Sequence, residues 1–261
     1  MATTDPTGST ESRTAQEPAT RDFPFYAGDP VLLRGPQWAV VLVGVAVAFV
    51  LLILLPVPGA PLVGQWVRAL LFAGVPLAAL AVVAGRHWTA LFHRVGWKDV
   101  GIMVAFAAFN VVVTLVVGGI VRATVGAATN AAGAEIQEMG AGERVLRFAS
   151  MVPQLVGEEL LTILPFLALL YLGVTRLGWS RRATIVTAWI GTALLFGAVH
   201  LPTYDWNVVQ CFVVIGTARL ILTIPYLLTK NLWVCAGAHV LNDWTLFGVG
   251  LLGAGVPLLA G

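Results

Sequence analysis

Charge is scarce in this chain. Only 11% of its 261 residues are Asp, Glu, Lys or Arg, and the two signs nearly cancel to a net charge of +2. Soluble domains carry roughly 25% charged residues, so this chain has too few to cover a water-facing surface. The small positive excess gives no footing for nucleic acid as a partner. Cysteine is nearly absent too. Cys211 and Cys235 lie in apolar stretches near opposite ends of consecutive segments, which argues against a bond between them and reads both as small buried residues. No repeat with a period of about 20–50 residues is present, which leaves a solenoid without sequence support and weakens the case for an inverted-repeat transporter.

Apolar length is what the chain has in abundance. Hydrophobic residues make up 58% of it, and the mean hydropathy is +0.88. They gather in runs of about 20 residues, the length that crosses a bilayer core as a helix. The fold class read from this is all-α: a polytopic membrane helix bundle with about seven transmembrane helices. The expected spans are Trp38–Leu55, Leu62–Ala84, Val100–Val121, Leu146–Val174, Ala183–Leu201, Trp206–Leu228 and Leu232–Leu252. Pro153 is expected to break or kink the fourth, with the part before it lying along the interface and Gln154–Val174 crossing. Residues 1–30, rich in Thr, Ser, Ala, Glu and Pro, read as a disordered tail. Residues 31–144 read as N-terminal membrane helices, 145–254 as a second set of membrane helices and 255–261 as a short C-terminal tail.

The basic residues set an orientation. Arg86–Lys98, Arg176–Arg182 and Lys230 fall on one side, and the acidic loop Arg122–Arg144 and Asp205 on the other. The positive-inside rule then puts the first side, and the N-terminus, in the cytoplasm, in a protein integral to the cell membrane.

Ionisable side chains inside a bilayer are costly and mark function. The first three spans hold only Arg68, near an end. The later spans hold Glu158, Glu159, His200, Arg219, His239 and Asp243. At 1.5 Å per residue, Glu158 stands about 27 Å from Arg176 and His200 about 26 Å from Ala183, so the two reach a similar level. His239 and Asp243 stand about 14 and 20 Å from Lys230 and share a helix face. Two carboxylates and two histidines converging on one cavity suit hydrolysis, with a carboxylate as general base and a histidine donating to a developing oxyanion. A His/Glu cluster could in principle also bind zinc.

Three motifs follow one another on successive helices. Glu158-Glu159-Leu160-Leu161-Thr162-Ile163, Phe196-Gly197-Ala198-Val199-His200 and His239-Val240-Leu241-Asn242-Asp243 resemble the EExxxR, FxxxH and HxxxN/D motifs of the CPBP intramembrane endopeptidases. That family includes the type II CAAX prenyl proteases and bacterial immunity-like (Abi) relatives. The resemblance covers roughly Met151–Phe247. It implies a membrane protease that needs no metal or other cofactor, acting on a membrane protein or a lipidated peptide in the lipid bilayer. Glu158 would activate water with help from His200. His239 and Asp243 would bind the oxyanion or orient the site, and Glu159 would support Glu158. One position departs: the motif arginine falls at Ile163. Without it Glu159 needs another partner or a raised pKa, and Arg219 is one candidate substitute. Two other readings stand beside the protease: a non-catalytic membrane scaffold or immunity-type factor of the same fold, and a proton-coupled transporter.

Overall fold

The computed structural model describes residues 22–252, all helix, turn or loop with no strand among them. Eight α-helices follow in order: α1 (Gly35–Leu54), α2 (Pro61–Ala84), α3 (Trp97–Thr124), α4 (Ala131–Glu138), α5 (Ala141–Leu170), α6 (Arg181–Val199), α7 (Gly216–Thr229) and α8 (Leu232–Leu252). Six helical stretches are long and apolar enough to cross a membrane. They are α1, α2, α3, α5, α6, and α7 with the π-turn Gln210–Ile215 before it. Helix α8, of 21 residues, is as long but carries His239, Asn242 and Asp243, polar residues that lower its hydropathy. Six such stretches among the described residues are close to the expected seven.

Helix α5 is the axis of the bundle. In its most apolar stretch 78% of residues are buried, against 50% or less in every other span. It packs against α2, α6, α8 and α1, while α3 packs on α8 and α7. The expected break at Pro153 does not occur. Helix α5 runs continuously through Pro153 and Pro165. Each proline leaves one carbonyl four residues back without its helical donor, a loss that a helix enclosed by neighbours tolerates. The chain before Pro153 is therefore part of the same rod, with Arg147 on it.

The expected disordered tail also needs correcting over its last residues. Phe23, Phe25 and Tyr26 are buried in the main core, and Phe23 lies 5.3 Å from Phe166 and 5.9 Å from Tyr226 between ring centres. The tail's average composition hides three aromatics clustered at its end, enough apolar area to anchor it. Residues 1–21 of that tail, and the expected C-terminal tail 255–261, lie outside the described residues.

Both ends of the bundle are stitched. At one end Arg181 and Lys230 both lie over the Phe23 ring, Arg181 pairs with Asp22, and Asn231 bonds both the N–H and the carbonyl of His93. At the other end Gln210 exchanges two hydrogen bonds with the backbone of Ala128, Asn130 donates to the Tyr204 hydroxyl, and Asn207 donates to the Gly126 carbonyl. The basic loops thus gather at one end and the acidic loop meets the 202–210 turn at the other. Asn130 also caps α4 by accepting from the Ala132 N–H.

Candidate active site

Successive helical residues point about 100° apart, and this separates the two adjacent glutamates of α5. Glu158 faces a cavity of about 520 Å³. Glu159 faces the interior, where α7 and α8 meet α5, and is fully enclosed.

Glu159 is held by three donors. Arg219 Nη1 and Nη2 donate to its two oxygens at 2.8 and 2.9 Å, a fork-on-fork pair. His239 Nδ1 lies 2.8 Å from Oε1. Arg219 is itself fixed: Nε donates to Thr223 Oγ1 at 3.2 Å, and the guanidinium sits 5.0 Å above the Phe196 ring. Burying these charges is affordable only because nearly every lone pair and N–H finds a partner. Phe196 also packs 4.4 Å from the His200 ring and 6.3 Å from the His239 ring, so one aromatic braces three polar side chains.

The cavity face is looser. Glu158 is 13% exposed and accepts one hydrogen bond, from Gln154 Nε2 at 3.2 Å. An ionised Glu159 only accepts, so the His239 proton at Nδ1 points to it and Nε2 faces the cavity. There Nε2 stands 3.9 Å from Glu158 and 3.6 Å from Asp243. Both distances exceed a direct hydrogen bond, so Nε2 is committed to neither carboxylate. Asp243 accepts from Asn242 Nδ2, and Asn242 accepts from the buried Asn110 on α3, each at 2.9 Å. His200, the C-cap of α6, has Nδ1 2.7 Å from the Phe196 carbonyl. A carbonyl only accepts, so Nδ1 carries the proton and Nε2 of the neutral ring is left with a lone pair. Glu158, His200, His239 and Asp243 all line the cavity; Glu159 does not.

Residues 143–245 match the family described as type II CAAX prenyl endopeptidase Rce1-like. The match spans less than half of the chain, and over that stretch the chain is similar to this family. No curated protein and no solved structure matches the chain. The Rce1-like stretch opens in the first turn of α5 and closes within α8, so it contains every side chain named above except Asn110.

The departure at the first motif has a structural counterpart. Ile163 is fully buried in the main core. It stands one turn beyond Glu159, where an arginine would meet that carboxylate along the same helix. Here the guanidinium comes instead from α7, 60 residues along the chain. Among the described residues no group of three His, Cys, Asp or Glu side chains is arranged to hold a metal ion.

Two features of the site were not read from the sequence. Tyr204 lines the cavity; burial pushes its hydroxyl up to about 12, so it stays neutral. Arg147 lines the cavity at one end of α5. The spacing 147, 151, 154, 158 is one helical face, a signal that a break at Pro153 would conceal.

Proposed function

We propose that the protein is an intramembrane endopeptidase that hydrolyses a peptide bond of a membrane-associated or lipid-modified protein with water activated at Glu158. The observation that carries this reading is the contrast between the two glutamates. Glu159 is locked by three donors, whereas Glu158 faces the cavity with a single neutral partner. One serves as scaffold and the other is available to react.

In this mechanism a water between Glu158 and the substrate carbonyl loses a proton to Glu158 as its oxygen adds to the carbonyl carbon. His200 Nε2 accepts a hydrogen bond from the same water and aims its lone pair. The negative charge that develops on the carbonyl oxygen meets His239. In its doubly protonated form His239 donates from Nδ1 to Glu159 and from Nε2 to the oxyanion. Asp243, held by Asn242 and Asn110, balances that positive charge. Collapse of the intermediate breaks the C–N bond, and Glu158 returns its proton to the leaving nitrogen. No step calls for a metal.

The absence of the motif arginine at Ile163 favours a non-catalytic member of the same fold, but Arg219 supplies a cation to the same carboxylate. An orientation with the N-terminus in the cytoplasm is supported by the basic residues collected at one end of the bundle, with the cavity then toward the outer half of the cell membrane. The test is cleavage of a mixed pool of membrane-anchored peptides by the purified protein in lipid. Cleavage lost in Glu158→Gln and indifferent to a chelator is expected. Loss on chelation would point to a metal hydrolase, and no cleavage by folded wild type would contradict the reading.

A further inference from the structure

Tyr204 lines the same cavity as Glu158, His239 and Asp243. It is buried, and its ring stacks on His200 with the ring centres 6.4 Å apart. Its hydroxyl oxygen accepts a hydrogen bond from Asn130 Nδ2 at 3.1 Å. The direction of that bond is fixed. Asn130 Oδ1 is already taken by the Ala132 N–H at 2.9 Å, and an N–H can only donate. The amide nitrogen that faces Tyr204 offers no lone pair, so the phenolic proton is not spent on Asn130. No other hydrogen bond to this hydroxyl forms among the described residues. Accepting from Asn130 also strengthens the O–H as a donor. Burial, with the charges of Asp243 and Glu158 added to it, keeps the proton in place. The unspent donor thus stands in the field of the two carboxylates that flank His239 Nε2.

The turn that presents Tyr204 is strained. Asp205 and Trp206 both adopt left-handed backbone, with φ of 49° and 59°, an outlier for a side chain as bulky as tryptophan. The Trp206 N–H donates to the Leu201 carbonyl at 2.8 Å and the Asn207 N–H to the Tyr204 carbonyl at 2.9 Å, and these bonds hold the turn. Strain of this kind persists where the surroundings over-determine it, and it collects at functional sites. On the endopeptidase reading of this cavity, we propose that Tyr204 is a further catalytic residue. Its hydroxyl donates to the carbonyl oxygen of the bond being cleaved, as a second oxyanion donor beside His239. Tyr204 keeps its proton throughout, and Glu158 still carries the proton from water to the leaving nitrogen.

Infrared spectroscopy reads the hydroxyl without turnover, so a failure here is distinct from a failure of catalysis. Full-length Glu158→Gln protein with isotope-labelled tyrosine, in phosphatidylcholine nanodiscs, is given a randomised hexapeptide pool acetylated and amidated at its ends. The difference against a Glu158→Gln, Tyr204→Phe copy isolates the phenolic C–O stretch of Tyr204 among the four tyrosines. Peptide is expected to move that band from the position of a hydroxyl that only accepts to that of one that also donates. Retention of the pool is expected to fall about fivefold with Tyr204→Phe. With Glu158 intact, Tyr204→Phe is expected to lower kcat about 100-fold, with a smaller change in KM and a melting temperature within a few degrees of wild type. A band that peptide leaves unmoved overturns the proposal. So does a Tyr204→Phe protein that cleaves at the wild-type rate, or one whose loss lies in KM alone. A band that moves in a protein whose wild type cleaves nothing supports Tyr204 as a donor to bound peptide and counts against the protease reading alone.

Discussion

The guanidinium of Arg219 takes both carboxylate oxygens of Glu159 inside the bundle, with neither side chain reaching solvent. This pair joins α7 to α5, and through His239 it joins both to α8. Removing one member leaves a buried charge without its partner, at a cost of about 3–5 kcal/mol. Arg219→Leu is therefore expected to lower the melting temperature sharply. A Glu159→Gln, Arg219→Leu double variant is expected to recover part of that loss, because no lone charge remains. Thermal unfolding of the four proteins in one detergent gives the coupling. Strictly additive losses would refute the pair as a structural unit.

A second prediction concerns the turn between Phe196 and His200. A Cβ on Gly197 would stand 2.7 Å from the Cys211 carbonyl oxygen, a backbone atom that cannot swing aside. Gly197→Ala should push α6 from the π-turn and cost about 1–3 kcal/mol, with lowered activity because Phe196 and His200 move with it. Gly74, in the middle of α2 with open space around its Cβ position, is the control. Gly74→Ala should be neutral or stabilising, up to about 1 kcal/mol. Comparable destabilisation by both would mean that close approach is not the cause.

The spans were legible because length and hydropathy alone define them, and α8 begins at Leu232 as expected and is helical to the last described residue, Leu252. The convergence of Glu158, His200, His239 and Asp243 on one cavity could be read from depth and order along the chain. Arg147 joins the site only because α5 runs unbroken through Pro153. Proline's cost is local, and whether neighbours absorb it is a tertiary matter. The packed segment around Phe23 was missed for the opposite reason: three aromatics outweigh a polar average once Phe166 and Tyr226 offer them a surface. The partnership of Asn242 with Asp243 and Asn110 was also beyond reach, because neither helix pattern fixes which amide meets which.

The anchored N-terminal segment predicts a pH response. Burial alone would raise the Asp22 carboxyl. Hydrogen bonds from Arg181, Tyr26 and the Phe23 N–H outweigh it, and the group titrates below its ordinary value of 3.8. A carboxyl whose folded value is the lower one contributes stability above about pH 4 and loses it as pH falls through the folded value. The pair is partly exposed, so its worth is at most about 1 kcal/mol and is screened by salt. Wild type should melt slightly above Asp22→Asn at pH 6, and the gap should close below pH 4. A gap that widens on acidification would mean the sign is wrong.

Glu158 as the reacting carboxylate is the central claim, and turnover and stability measured on one variant test it most directly. Glu158→Gln keeps the shape and can still meet Gln154, so it should melt within a few degrees of wild type. It should also cut the cleavage rate by about 10²–10⁴-fold, the usual contribution of a general base. A Glu158→Gln protein that cleaves at the wild-type rate would contradict the account.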